Sequence, residues 1–187
     1  FALLTYILNG CIIEWQNLEN NYAYIDGANL YKGIGELGWR LDYARFRVWL
    51  KEKHDVAHAY LFLGLIPKNK ALYTHLQEAG FTLVFKETTY DTDGKVKGNC
   101  DADLVLRTVS DFYENKFDWA IIVSGDGDFA SLVQFLKDKN KLGVVLAIDN
   151  KKCSILLKRT GVKITYLKEF KNQLSQKEKA PDADGTA

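Results

Sequence analysis

From residue 22 onward, short apolar runs rich in β-branched and aromatic residues alternate with longer stretches of helical periodicity. The runs predict strands over residues 22–25, 56–65, 81–85, 119–124, 142–147 and 162–166. The intervening stretches predict helices over 42–53, 69–79, 101–115, 129–140 and 151–159. The fourth of these has the clearest amphipathic spacing, with Phe129, Leu132, Val133 and Leu136 on one stripe. Gly80 and Gly161 stand where helix C-caps belong. This order of elements is that of an α/β fold, a mainly parallel sheet covered by helices. Residues 86–100 form the longest break, polar and holding the Asp93-Gly94 turn signal. Residues 1–20 read as an N-terminal extension, 21–170 as the domain and 171–187 as a polar tail expected to be disordered.

Composition narrows the picture only a little. The 187 residues, 47% hydrophobic and 26% charged, suit one ordinary globular domain with a full core. A formal net charge of +1 neither requires nor excludes a nucleic-acid partner, because a local patch matters more than the sum. Cys11, Cys100 and Cys153 are odd in number, and no C-x-x-C pair is present. A zinc site or disulfide framework is therefore not expected, and reduced thiols point to the cytoplasm. Residues 1–13 are apolar but lack a leading Lys or Arg and are too short to span a bilayer.

The candidate chemistry lies in three acidic clusters. Two follow apolar runs: Tyr24-Ile25-Asp26-Gly27-Ala28-Asn29 and Val123-Ser124-Gly125-Asp126-Gly127-Asp128-Phe129. The third, Lys97-Gly98-Asn99-Cys100-Asp101-Ala102-Asp103-Leu104, opens a helix. Ligands of open parallel sheets bind beyond the carboxyl ends of the strands, so these clusters can converge on one edge. Helix capping is the plainer explanation for Asn29, Asp101 and Asp128. It explains Asp26 and Asp126 less well, since each follows a buried run and precedes a glycine that lets the backbone turn sharply.

Asp101 and Asp103, two apart on a helix, cannot face one point; Asp101 is favoured inward if it caps the helix, with Asp103 secondary. Leu104, Val105 and Val109 are expected to form that helix's buried stripe. Two like charges 4 Å apart repel by roughly 4 kcal/mol at an effective dielectric near 20. A divalent cation removes that penalty. Oxygen donors without His or Cys select Mg²⁺, Mn²⁺ or Ca²⁺, and Mg²⁺ commonly bridges carboxylates to phosphate.

The same three segments, in order and with matching spacing, resemble the NYN domains of the PIN-like nuclease superfamily, in particular its bacterial LabA-like branch. The similarity extends over roughly residues 22–167. It implies a PIN-like α/β/α sandwich and a metal-dependent ribonuclease using Mg²⁺ or Mn²⁺, with single-stranded RNA as partner and a homodimer possible. Carried over by position, Asp26, Asp101 and Asp126 would hold metal, with Asn29 and Asp128 supporting catalysis and Asp103 as a further carboxylate. The ion would polarise the phosphate and activate a water.

Lys97, Ser124, Lys32, Arg40 and Lys95 are the substrate-binding candidates, joined by Arg107 for phosphate and Tyr31 and Trp39 for stacking. Core packing is the better reading for Trp39, and a solvated charged face for Arg107. His54, His58 and His75 lie on unrelated elements and are given no role. The rivals are a haloacid dehalogenase-like phosphatase, whose second aspartate falls here at Ala28, and a catalytically silent RNA-binding module.

Overall fold

Alternating apolar runs separated by helices can close only into a sheet whose crossovers lie on its faces, and the chain does so. The computed structural model describes residues 5–8, 11–14, 20–86, 89–90, 96–97 and 100–176, the short strand pairs by backbone alone. Strands β1 (Thr5–Leu8) and β2 (Cys11–Glu14) pair antiparallel. The domain then runs β3 (Asn21–Asp26), α1 (Gly27–Glu36), α2 (Tyr43–His54), β4 (Val56–Gly64), α3 (Lys70–Glu78) and β5 (Thr82–Lys86). A small antiparallel pair, β6 (Thr89–Tyr90) and β7 (Val96–Lys97), precedes α4 (Asp101–Tyr113). The chain continues with β8 (Ala120–Val123), α5 (Ala130–Asp138), β9 (Leu142–Ala147), α6 (Ile155–Arg159), β10 (Ile164–Tyr166) and α7 (Lys171–Leu174).

The central sheet has six parallel strands in the order β10-β9-β8-β3-β4-β5. The chain winds outward from β3 through β4 to β5, then returns to β8 and winds the other way. The switch point thus lies between β3 and β8, where an open α/β sheet presents its crevice.

Period-two alternation assigns the two faces. Ala23, Ile25, Leu61, Ile121, Val123 and Leu146 pack with Leu30 and Ile34 of α1, Phe46 and Leu50 of α2 and Leu76 of α3. Tyr22, Tyr24, Phe62 and Ile122 pack on the other face with Leu104 of α4 and Leu132, Val133 and Leu136 of α5. The result is the three-layer α/β/α sandwich. Among the described residues, no helix is long and apolar enough to cross a membrane.

Several local expectations need correction. Helix α1 is not among the predicted helices, its one sequence signal being the capping reading of Asn29, which lies instead within its first turn. The helix expected over 151–159 begins only at Ile155, because the Asp149 carbonyl and carboxylate gather the N–H groups of Lys151, Lys152 and Cys153 into a turn. The buried stripe of α4 is Leu104, Thr108 and Asp111, with Val105 and Val109 only partly covered. Order persists beyond residue 171: Leu174 is fully buried, and Gln176 N–H donates to the Arg40 carbonyl. Gly80 and Gly161 do follow helix ends, with φ of +92° and +66°.

Candidate functional site

The carboxyl ends of β3 and β8 deliver Asp26 and the Ser124-Gly125-Asp126 turn side by side. One residue, Ser124, ties them together. Its side chain is buried; the hydroxyl donates to Asp26 Oδ2 at 3.1 Å and accepts from Asp126 N–H at 3.1 Å. Asn29, on the first turn of α1, closes a second link by accepting Gly125 N–H at 3.1 Å through Oδ1. Ser124, a substrate-binding candidate, is 1% exposed, and its hydroxyl links the two aspartates.

Capping falls on residues other than those expected. Asp26 caps α1 by accepting Asn29 N–H at 3.0 Å, and Asp126 caps the short helical turn at 127–129 by accepting Asp128 N–H at 3.1 Å. A carboxylate has about four lone-pair sites, so one such bond does not exclude a cation. Nor do the neighbouring glycines supply a left-handed turn. Gly27 is required by proximity: a Cβ there would lie 2.7 Å from the Phe62 carbonyl oxygen and collide with the Leu63 side chain. Gly127 is pressed against Ser154 and Leu156 in the same way.

Asp101 is the first residue of α4, and Cys100 occupies the cap position. Even from inside the helix, Asp101 reaches the crevice. One oxygen from each of Asp101, Asp126 and Asp128 lies within 4.8 Å of the other two, a spacing that a single ion can span. Asp26 borders this trio. Burial pushes its carboxyl above the usual range, and the charges of Asp101 and Asp126 push it further, against the bonds from Asn29 and Ser124. Asp103 diverges, as its spacing requires, and pairs with Lys86 at 3.0 Å; it is outside the trio. Burial, with the charges of Asp103, Asp26 and Asp101, raises the Cys100 thiol, and its sulfur is not part of the trio.

Among the described residues, Asp26, Asp126 and Asp128 form no ion pair. Beside them lies a cleft of about 190 Å³ lined by Asn29, Lys32, Glu36, Gly125 and Lys152. Lys32 is therefore at the site. Lys152, paired with Glu36, is an addition that sequence reasoning missed. Its only sequence signal was a lysine just past the carboxyl end of β9. Arg40 lies farther along, in a second hollow. Arg107 is committed elsewhere, to Asp111 and Tyr60, and Trp39 is in the core. The Lys95 candidate and the Lys97 side chain lie outside the described residues.

The model of the NYN domain matches residues 22–168, which contain every residue of this crevice. The chain belongs to the NYN domain family. Among solved structures, it is similar to a protein of unknown function from Vibrio parahaemolyticus, with a TM-score of 0.69 and 24% identity over 83% of this chain and 96% of that one. That likeness establishes the fold alone. No curated protein matches the chain. The NYN fold is nuclease-like, and the acidic trio stands at the switch point of its sheet.

Proposed function

We propose that this NYN domain is a divalent-metal-dependent ribonuclease. The reading is carried by one observation: three carboxylates from two separate segments converge within 4.8 Å at the carboxyl edge of the sheet, with a fourth, Asp26, beside them. Like charges held this close repel one another, and a cation among them relieves that repulsion. The donor set fits Mg²⁺ or Mn²⁺, because every ligand is a carboxylate oxygen. Asp101, Asp126 and Asp128 would hold the ion, with Asp26 completing or polarising its surroundings. When bound, the ion supplies charge stabilisation at the phosphate and acidifies water.

The chain's own residues supply position. Ser124 holds Asp26 and the Asp126 turn at a fixed separation, so neither carboxylate has to reorganise when substrate arrives. Asn29 holds α1 against the same turn. Lys32 presents positive charge on the rim of the cleft, where it binds phosphate next to an otherwise acidic centre, while Lys152 is paired with Glu36.

The test is incubation of the protein with labelled single-stranded RNA in Mn²⁺, in Ca²⁺ and in chelator. Cleavage in Mn²⁺ that stops in chelator and is lost in Asp126→Asn supports the proposal. Intact RNA under all conditions, with turnover of small phosphomonoesters, would assign the site to a phosphatase.

A further inference from the structure

Helix α1 carries two adjacent stripes away from the acidic crevice. Asn29, Lys32 and Glu36 line the first cleft. On the neighbouring stripe, Tyr31 and Ile34 open onto a second hollow of about 790 Å³, which shares Lys32 and Glu36 with the first. This volume lies within the range of about 300–1,000 Å³ usual for ligand pockets. Its walls include Trp39, Arg40, Tyr43, Leu72 and His75. Lys32 and Glu36 thus stand between the two hollows and face both.

Three features say what the second hollow accommodates. The first is aromatic surface in an unusual place: Tyr31 is 75% exposed, and Leu72 is 40% exposed across the hollow. Tyr43 stands beside Tyr31, its phenol pushed up to about 12 by burial and by that neighbour, so it stays neutral at ordinary pH. The second is charge. Lys32 and Arg40 are exposed cations on the walls, and the acid Glu36 is already paired with Lys152. Ring faces beside unneutralised cations complement a base followed by a phosphate. The third is reach. Asn29 to Glu36 spans about 10 Å along the helix axis at ~1.5 Å per residue. A stacked strand covers that in about three nucleotides at ~3.4 Å per step.

We propose that the hollow lined by Tyr31, Arg40, Tyr43 and Leu72 is a nucleobase subsite for single-stranded RNA, a few nucleotides from the phosphate held at the acidic crevice. Tyr31 offers the stacking face, and Lys32 and Arg40 engage the intervening phosphates. The subsite rests on the ribonuclease reading for its connection to the crevice. Its binding chemistry stands by itself. Duplex RNA, whose bases are already stacked, is excluded from it.

The test pairs two readouts on Tyr31→Ala with Arg40→Ala, a double change at exposed positions that leaves the core untouched. Anisotropy of a labelled single-stranded decanucleotide RNA, measured in an Asp126→Asn background so that the strand stays whole, should weaken about tenfold or more. In the otherwise wild-type protein with Mn²⁺, the preference for that RNA over bis-p-nitrophenyl phosphate, a base-free diester, should fall by a similar factor. Unchanged RNA affinity and unchanged preference would overturn the subsite while leaving the nuclease intact. Tyr31- and Arg40-dependent RNA binding by a protein that hydrolyses neither substrate would uphold the subsite and defeat the nuclease reading. Equal weakening for single-stranded and duplex RNA would also overturn it, since surface charge alone would then explain the binding.

Discussion

Helix α4 carries an aspartate near each end, and the two are treated in opposite ways. Asp111, in its last turn, is 1% exposed yet paired with two cations. Its Oδ2 accepts from the Tyr24 hydroxyl at 3.0 Å and from Arg107 Nε at 2.8 Å, and its Oδ1 pairs with Lys116 at 3.2 Å. Arg107 is itself held by the Tyr60 hydroxyl, with its guanidinium 4.5 Å above the Tyr60 ring. At the helix start, Asp101 meets Asp126 and Asp128, so one negative charge faces two others. Burial of a carboxylate is therefore a poor guide to function. What separates the two sites is which charges surround the carboxylates: cations at Asp111, and one another at Asp126 and Asp128, which form no ion pair among the described residues.

Removing the compensated aspartate should have the largest effect. Asp111→Ala leaves the buried Tyr24 hydroxyl without its acceptor and releases two cations, a loss of about 3 kcal/mol. At about 2–4 °C per kcal/mol for a domain of this size, the melting temperature should fall by about 10 °C. Mn²⁺ affinity of the folded protein should not change. Thermal unfolding with and without the ion checks both.

Asp126→Asn should show the reverse pattern. RNA cleavage should drop by about 100-fold or more, equivalent to about 2.7 kcal/mol of transition-state stabilisation, while the metal-free melting temperature is nearly unaffected. Initial rates on a labelled strand, with calorimetry alongside, decide it. A cation that binds only the folded cluster adds about 2.7 kcal/mol at 100 times its Kd. Mn²⁺ should therefore raise the melting temperature by several degrees in the wild type, and by much less in Asp126→Asn.

The smallest effect is expected at Asp26. Its carboxyl is raised in the fold, so between the ordinary value of 3.8 and the raised one the folded state binds more protons than the unfolded state. The penalty is thus complete above the raised value and vanishes as the pH falls toward 3.8. Metal-free Asp26→Asn should be as stable as the wild type or slightly more so above that window, by less than about 1 kcal/mol, and the two should converge in acid. Melting curves across pH 3–8 report this. An advantage that grew on acidification would contradict the charge environment assigned to Asp26.

How much of this could be read from the residues themselves depended on the strength of the local signal. The apolar runs that became β3, β4, β8 and β9 are long, periodic and bounded by turns, and the structure places strands there. Helix α1 was hidden because three of its ten residues, Gly27, Gly33 and Gly35, depress helix propensity. Tertiary contact overrides that weakness: Leu30 and Ile34 are buried, and Gly33 is a glycine because Ile148 Cγ1 would lie 2.7 Å from a Cβ.

The crevice was legible as three acidic segments, since charge at strand ends is a sequence property. Which oxygens meet was not, because that depends on rotamers and on the Ser124 and Asn29 links. Asp128 stands in the trio where Asp26 was expected, Asp26 turns both oxygens toward Asn29 and Ser124, and the secondary carboxylate Asp103 pairs with Lys86. Lys152 was invisible for a similar reason: only the fold brings the β9–α6 turn against α1.

Everything proposed for the crevice depends on a cation among those carboxylates. Crystals grown with Mn²⁺ and measured at the manganese absorption edge test this most directly. The expected result is an anomalous peak within coordination distance of oxygens from Asp101, Asp126 and Asp128, with Asp26 alongside. No peak there at saturating Mn²⁺, with the three carboxylates turned apart, would contradict it.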